Sequence, residues 1–92
     1  MIVTPTADFN KSIKKITDKI ARKRLRILIE KLEKAKDLSE IPNVKAISNY
    51  PGRYRIRTGD YRLFVKQIAF NAIEILLIEY RKRDDNTYQD YK

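Results

Sequence analysis

The feature that most constrains this 92-residue chain is a segment in its second half, which reads RYRIRTGDYRLFV over residues 53–65. Alternating side chains on both sides of a Gly-Asp pair are typical of a β-hairpin, because glycine supplies the positive φ that a two-residue loop needs. Gly59 and Asp60 are then the loop residues, and Asp60 serves as a turn former. We therefore predict strands near 53–58 and 61–67.

The hairpin register decides which side chains share a face. Successive residues on a strand point to opposite faces, so Tyr54 and Ile56 lie on one face and three arginines lie on the other. These arginines are Arg53, Arg55 and Arg57. Across the turn Arg57 faces Arg62, and like charges directly opposite each other destabilise a sheet. The pattern predicts an anion-binding face; the alternative is the solvated outer face of a half-buried sheet.

Charge and composition narrow the function classes. The chain carries 21 lysines and arginines against 12 aspartates and glutamates, which gives a formal net charge of +9 at pH 7. For so small a domain, this balance predicts a polyanionic partner such as nucleic acid, the ribosome or an acidic protein segment. The chain has no cysteine and no histidine, which excludes histidine-pair ribonucleases, Ser-His-Asp hydrolases and histidine-ligated metalloenzymes. We expect neither a metal nor a cofactor.

The start of the chain and its apolar runs bear on where it works. Residues 1–5 lack the basic region and the long apolar region of a signal peptide. No run approaches the 18 apolar residues of a transmembrane helix, and the lack of cysteine suits a reducing compartment. We expect a single domain over residues 1–92, located in the cytoplasm and without a membrane partner.

Apolar spacing predicts the remaining elements. Residues 1–4 form a short strand that ends at a proline. Helical spacing and two capping signals predict helices over 7–16 and 18–36, as an αα-hairpin or as one bent helix. A linker follows over 37–51. The run 73–80 is apolar on both faces, as expected for a strand covered on each side.

These spacings also predict the core. Its sheet side should consist of Tyr54, Ile56, Tyr61, Leu63, Val65, Ile75 and Leu77, and its helix side of Phe9, Ile13, Ile16, Leu25, Leu28 and Leu32. Ile27 lies off this apolar stripe, among the basic residues of the second helix, and could contact a partner. Most of those basic residues individually are interpreted as solvated helix faces.

The chain resembles the RelE/ParE superfamily of type II toxin–antitoxin toxins. The resemblance rests on the order of a strand, two helices and three antiparallel strands, and on the motif YRIRxGDYR at residues 54–62. It also takes in the Thr4-Pro5 strand end, the Pro51-Gly52 turn and the Tyr80-Arg81 pair. It implies an α+β fold in which a small antiparallel sheet packs against the N-terminal αα-hairpin, as in microbial ribonucleases of this group.

Within the superfamily the chain is most similar to RelE-like members, which bind in the ribosomal A site and cut mRNA there without a metal. An antitoxin that wraps the toxin neutralises them. The resemblance implies the same activity here, with a cognate antitoxin in a toxin–antitoxin hetero-oligomer, the ribosome and mRNA as partners. It assigns catalysis to Arg55, Arg57, Arg62, Arg81 and Tyr88. Weaker candidates for phosphate binding are Arg53, Lys82 and Arg83.

The chemistry of this set fits metal-free RNA cleavage, in which the ribose 2′-OH attacks the adjacent phosphate. Arginine offers a charged, planar fork of donors that matches a phosphate, but it is a poor base. Tyr88 remains as a proton acceptor if nearby arginines lower the pKa of its phenol from about 10. Alternatively, its ring packs or stacks on a base. Many relatives carry a histidine at the position of Tyr80.

Two other functions stay open. ParE-like members share the fold but inhibit DNA gyrase without nuclease activity, and they tend to lack the full set of basic residues plus tyrosine. The chain could also be an inactivated toxin or a basic nucleic-acid-binding module, which would bind RNA with a steep salt dependence and leave cells healthy. A gyrase inhibitor should keep its inhibitory activity without Tyr88, whereas the nuclease activity depends on the arginines and Tyr88 together.

Overall fold

The computed structural model describes residues 1–69 and 72–83. In chain order, its elements are β1 (Ile2–Pro5), α1 (Ala7–Lys14), α2 (Lys19–Lys34), a single 3₁₀ turn (Leu38–Glu40), β2 (Val44–Ala46), β3 (Arg53–Thr58), β4 (Tyr61–Ala69) and β5 (Ile73–Lys82). The two helices are separate, which confirms the αα-hairpin over the single bent helix. The strand β2 lies within the segment predicted as a linker, since three residues are too few for alternation to reveal a strand.

Side-chain caps set where the helices begin. The Oγ1 atom of Thr6 accepts the N–H of Phe9 at 3.2 Å, one turn into α1. The Oδ1 atom of Asp18 accepts the N–H groups of Ile20 and Ala21 at 2.9 and 3.1 Å at the start of α2. Both caps satisfy backbone donors that have no partner within a helix, and the Asp18 cap marks the break between the two helices.

The side chain of Arg22 holds the helical hairpin together. Its Nε donates to the carbonyl of Ile16 at 2.8 Å, and its Nη2 donates to the carbonyl of Ile13 at 3.0 Å. The last carbonyls of a helix lack partners within it and carry the negative end of its dipole. A cation from α2 therefore binds carbonyls in the last turn of α1, at Ile13, and just beyond its end, at Ile16.

The sheet has five strands in the order β1-β5-β4-β3-β2. The pairs β2–β3, β3–β4 and β4–β5 are antiparallel, which confirms the three antiparallel strands predicted for the second half of the chain and adds β2 at the edge. The predicted hairpin register is confirmed, because Arg57 lies opposite Arg62 and Gly59 has a φ of +61°. The first strand differs from the expected antiparallel sheet, since β1 pairs with β5 in parallel. This pairing brings together the first and the last strand, which are far apart in the sequence. No local pattern in residues 1–4 encodes it.

The core lies between the helices and one face of the sheet, which we call the inner face. The buried core residues are Phe9, Ile16, Ala21, Leu25, Leu28, Leu32, Ala35, Leu38, Ile41, Ile56, Leu63, Val65, Ile75, Leu77 and Tyr80. Of the predicted core, Ile13, Tyr54 and Tyr61 are only partly buried and pack against this cluster. The prediction that β5 is covered on both faces holds for the inner face, whereas Leu76 on the other face is half-buried. No helix within the described residues is long and apolar enough to cross a membrane.

Two neighbouring leucines of β5 provide a matched test of this packing. Leu77 is 2% exposed on the inner face, whereas Leu76 is half-buried on the opposite face. We expect Leu77→Ala to lower the free energy of unfolding by about 2–5 kcal/mol through lost burial and a cavity. Leu76→Ala should cost clearly less. Urea unfolding followed by circular dichroism measures both, and equal losses would contradict the one-sided core.

Candidate functional site

A β-bulge in β5 decides where the end of that strand points. The register between β4 and β5 shifts by one residue after Leu77, so Ile78 is the extra residue of a bulge. Strict alternation would have put Leu77 and Arg81 on the same face, towards the helices. The extra residue reverses the alternation. Arg81 therefore lies on the outer face of the sheet, away from the helices, while Tyr80 enters the core.

Three arginines, here called the arginine row, cross the outer face side by side. Arg57 of β3 lies opposite Arg62 of β4, and Arg62 lies opposite Arg81 of β5. Neighbouring strands are about 4.8 Å apart, so the row spans about 10 Å. Arg62 stands at the centre and is 6% exposed. Arg57 is exposed and Arg81 is half-buried, so the row is open to a ligand at its two ends.

A second line of side chains lies beside the arginine row. Arg55 is opposite Lys45 on one side and Phe64 on the other, and Phe64 is buried although it belongs to the outer face. A cleft of about 320 Å³, which we call the arginine cleft, is lined by Asn43, Val44, Lys45, Arg55, Arg57 and Arg62. Four of these six lining residues are cationic and none carries a carboxylate, so the lining has a net positive charge.

The arginines act on one another electrostatically. Burial lowers the pKa of the Arg62 guanidinium, and the charges of Arg55, Arg83 and Arg57 lower it further. Burial also lowers the pKa of Arg55. Arginine stays protonated at neutral pH despite such shifts. The lowered pKa values therefore indicate that the guanidinium charges are held close together and repel one another. A bound anion relieves this repulsion because an opposite charge favours the charged form of each guanidinium.

Arg81 has a counter-charge on its own strand. Its Nη1 lies 3.0 Å from Oε1 of Glu79, and both side chains are more than a quarter exposed. Ion pairs with this degree of exposure contribute little stability, so a phosphate can compete with Glu79 for the guanidinium. The sequence analysis did not single out Glu79. The sequence feature that could have identified Glu79 is its two-residue spacing from Arg81, because this spacing places both side chains on one face of a strand.

Tyr80, at the position where the resemblance leads one to expect a histidine, is a core residue. It is 1% exposed, its phenol donates to the carbonyl of Ala21 at 2.9 Å, and its ring stacks on Tyr61 with centroids 5.1 Å apart. Burial, assisted by Tyr61, raises the pKa of Tyr80 to about 12. A phenol held neutral in this way does not accept a proton at neutral pH, so Tyr80 does not replace a histidine as a base.

The other predicted site residues are placed differently. Arg83 follows β5, and its N–H donates to the carbonyl of Asp60 at 2.6 Å, which sets it beside the hairpin turn. Arg53 lies on the outer face but at the far end of β3 from the arginine row. The position of Lys82 in β5 is on the inner face of the sheet. The structure therefore does not bring it together with the arginine row on the outer face. Tyr88 lies outside the described residues.

The arrangement suits a phosphodiester better than a metal. Within residues 1–69 and 72–83, no group of three or more histidine, cysteine, aspartate or glutamate residues is placed to hold a metal ion. What the outer face offers instead is several guanidinium groups at fixed spacing, each with a planar fork of donors that fits phosphate oxygens. These groups can bind a phosphate and stabilise negative charge that develops on it.

Comparison with known proteins gives consistent results. A family model described as the ParE toxin of the type II toxin–antitoxin system, parDE, matches residues 3–85. Toxin RelE3 of Methanocaldococcus jannaschii is 34% identical over 59 residues, which cover 63% of this chain and 66% of that protein, just under two thirds of its length.

Two solved structures share the fold. A chain in the RelB-RelE antitoxin–toxin complex from Methanococcus jannaschii superposes with a TM-score of 0.72 at 25% identity, with 96% of each chain covered. A chain in the RelBE2 toxin–antitoxin complex from Mycobacterium tuberculosis superposes with a TM-score of 0.55 at 23% identity, with 89% of this chain and 96% of that chain covered. The second likeness concerns the fold alone.

The buried charge of Arg62 predicts a trade between stability and anion binding. Arg62→Met removes the repulsion that the charges of Arg55, Arg83 and Arg57 exert on the Arg62 guanidinium, so this variant should have a raised melting temperature at low salt. Sulfate at ten times its Kd should stabilise the wild type by about 1.4 kcal/mol and should not stabilise Arg62→Met. Thermal unfolding in sulfate and in chloride at equal ionic strength measures both effects, with Lys34→Met as an exposed control. Equal stabilisation of Arg62→Met by sulfate would place the anion elsewhere.

The shifted phenol of Tyr80 predicts a pH dependence. Its folded pKa of about 12 lies above the unfolded value of about 10, so its contribution to stability is complete below pH 10 and is lost as the pH rises towards 12. Tyr80→Phe should cost about 1 kcal/mol at pH 8 through the lost hydrogen bond. The difference from the wild type should shrink between pH 10 and 12. Urea unfolding across this pH range measures the difference, with Tyr50→Phe as control. A difference between the wild type and Tyr80→Phe that stayed constant would contradict the raised pKa of Tyr80.

Proposed function

Because this chain belongs to the RelE/ParE superfamily of type II toxins, we propose that it is a ribosome-dependent endoribonuclease that cuts mRNA without a metal and so stops translation. The observation that carries the proposal is the arginine row, in which Arg57, Arg62 and Arg81 lie side by side on three adjacent strands. Arg55 adds a fourth guanidinium in the adjoining arginine cleft. Toxin RelE3 of Methanocaldococcus jannaschii, at 34% identity, supports the RelE-like branch.

In the proposed reaction the scissile phosphate lies over the arginine row. The ribose 2′-OH attacks the adjacent phosphorus, the bond to the 5′-oxygen of the next nucleotide breaks, and a 2′,3′-cyclic phosphate forms. Negative charge grows on the phosphoryl oxygens, where donors fixed in advance stabilise the transition state more than the ground state. Arg62 is suited to this role because burial restrains its side chain and the neighbouring guanidinium groups strengthen the local positive potential.

Proton transfer needs a group other than these arginines and Tyr80. We assign it to Tyr88: the positive field of the arginine row lowers the pKa of its phenol, the phenolate takes the proton of the 2′-OH, and the departing 5′-oxygen takes a proton from the resulting phenol or from water. The arginine row is the source of this positive field. Arg62 stands at its centre, and Arg83 is close enough to lower the pKa of Arg62. Glu79 holds Arg81 in place until the phosphate arrives.

The proposed partners follow from the charge and from the relatives. Both solved relatives are toxin–antitoxin complexes, and a chain with a net charge of +9 attracts an antitoxin segment that supplies carboxylates, apolar side chains or both. We expect that segment to lie over the helical hairpin and the sheet and to block access to the arginine row. The ribosome and mRNA are the proposed targets, and the proposed location is the cytoplasm.

Inhibition of DNA gyrase without nuclease activity is the second candidate. The specific observation in its favour is the family model itself, which describes the ParE toxin and matches residues 3–85. A gyrase inhibitor needs a binding surface but no phosphate clamp. The closely spaced charges of the arginine row, at odds with sheet stability, favour the nuclease.

Primer extension on translated mRNA, beside a gyrase supercoiling assay, separates the two functions. We expect ribosome-dependent cuts by the wild type in excess chelator, and losses of about 10²–10³ in rate for Arg81→Ala and Arg62→Ala, because each removes a fixed donor. Tyr88→Phe should slow cleavage strongly if the phenol moves a proton and only mildly if the ring stacks on a base. Lys14→Ala, at an exposed position on α1, is the control.

The outcomes discriminate clearly. Cuts that disappear with Arg81→Ala while antitoxin binding and the circular dichroism spectrum persist would support the nuclease. Inhibited supercoiling without ribosome-dependent cuts would assign the chain to the gyrase inhibitors. Cleavage that is unchanged in Arg62→Ala and Arg81→Ala would show that the arginine row is not the site.

A further inference from the structure

A second cleft adjoins the arginine cleft. It lies between α2 and the β3–β4 hairpin, has a volume of about 310 Å³, and is lined by Arg24, Ile27, Leu28, Lys31, Pro42, Asn43, Ile56, Arg57, Thr58 and Gly59. We call it the helix cleft. It shares Asn43 and Arg57 with the arginine cleft. A ligand bound at the arginine row can therefore continue past Arg57 into the helix cleft without leaving the protein surface.

The lining of the helix cleft combines positive charge with apolar surface. Arg24, Lys31 and Arg57 supply the charge, and none of the lining residues is acidic. The apolar part includes Ile27, which is 43% exposed and lies off the apolar stripe of α2. A nucleotide has the same two chemical parts, a charged phosphate and a flat base with apolar faces.

A cleft at the other end of the arginine row is less suited to a polyanion. It has a volume of about 520 Å³ and is lined by the cations Lys11, Lys15, Arg81 and Lys82, together with the carboxylates of Asp8 and Glu79. The two carboxylates offset two of the four positive charges, whereas the lining of the helix cleft has no acidic residue. The charge distribution therefore favours the helix cleft for the strand that extends from the scissile phosphate.

Asn43 lines both clefts and forms the wall between them. Its φ of +64° is in the left-handed region, which asparagine tolerates better than most residues. Its carbonyl accepts the N–H of Arg57 at 3.2 Å, which fixes the wall to the arginine row. A side-chain amide has both donors and an acceptor, so at this position it can recognise the edge of a base.

We propose that the helix cleft is a subsite for the single-stranded RNA nucleotide that adjoins the scissile phosphate. Lys31 and Arg24 bind the phosphate of that nucleotide, Ile27 contacts its base, and Asn43 hydrogen-bonds to the base edge. The proposal rests on the proposed function, since it extends the substrate site of the same reaction. It makes Lys31 and Asn43 residues that bind substrate and influence cut-site preference, while the arginine row performs the chemistry.

Kinetics on ribosome-bound mRNA test the subsite. Lys31→Glu should raise KM about tenfold, equivalent to about 1.4 kcal/mol, and leave kcat within about twofold, because it weakens binding outside the reacting phosphate. Lys19→Glu makes the same charge change on α2 about 18 Å away along the helix, where an acidic residue suits the helix start. This control should keep the wild-type KM.

Two variants at Asn43 separate the side chain from the backbone. Asn43→Gly keeps access to the positive φ and removes the amide, so cleavage should persist with a changed distribution of cut sites. Asn43→Asp keeps the shape and adds a negative charge, so KM should rise as for Lys31→Glu. A wild-type cut distribution for Asn43→Gly together with an unchanged KM for Lys31→Glu would overturn the subsite while the nuclease function stands.

A binding measurement covers the case in which the wild type does not cut mRNA and the proposed function fails. A single-stranded RNA hexanucleotide is titrated into the isotopically labelled full chain, and the backbone amide signals of Ile27, Lys31 and Asn43 are followed. Shifts that saturate in the wild type and weaken about tenfold in Lys31→Glu would support an RNA subsite independently of catalysis. Signals that do not move, or that move equally in Lys31→Glu, would overturn it.

Discussion

The extra residue in β5 is the constraint on which both faces of the sheet depend. Leu77 and Tyr80 are both buried against the helices, although strict alternation would place residues three apart on opposite faces. The bulge at Ile78 reconciles the two positions, and it also turns Arg81 outwards to meet Arg62. Core packing and site assembly are thus linked in this strand. Removing the extra residue would drive the Arg81 side chain towards the core and take the Tyr80 phenol away from the carbonyl of Ala21.

Local patterns predicted the parts of the fold that are decided locally. The Gly59-Asp60 turn predicted the register that puts Arg57 opposite Arg62. Two capping signals, Thr6 or Asp8 and the pair Thr17-Asp18, predicted the helix starts, and the structure places the caps at Thr6 and Asp18. The sequence patterns did not predict β2 or the parallel pairing of β1, and the predicted core did not include Tyr80. Each depends on a partner distant in the chain or on the bulge, and period-two alternation carries no information about either.

The placement of the candidate site residues was predictable to a similar extent. Arg55, Arg57 and Arg62 followed from hairpin alternation, whereas Arg81 came from the resemblance and would have been placed on the wrong face by alternation alone. Glu79 was overlooked because the run that contains it looks like a buried strand, in which a carboxylate draws little notice. Lys82 was grouped with its neighbours in sequence, but adjacent residues of a strand face opposite ways, and the structure puts it on the inner face.

The hairpin turn at Gly59-Asp60 connects two strands that carry arginines on the outer face and apolar core residues on the inner face. Glycine is needed at position 59 for its positive φ, and the guanidinium of Arg24 lies against it where a Cβ would be. This contact brings a cation of the helix up to the strand ends from which Arg57 and Arg62 project. Because Arg57 lines both the arginine cleft and the helix cleft, its position sets how a single polyanion can occupy the two clefts together.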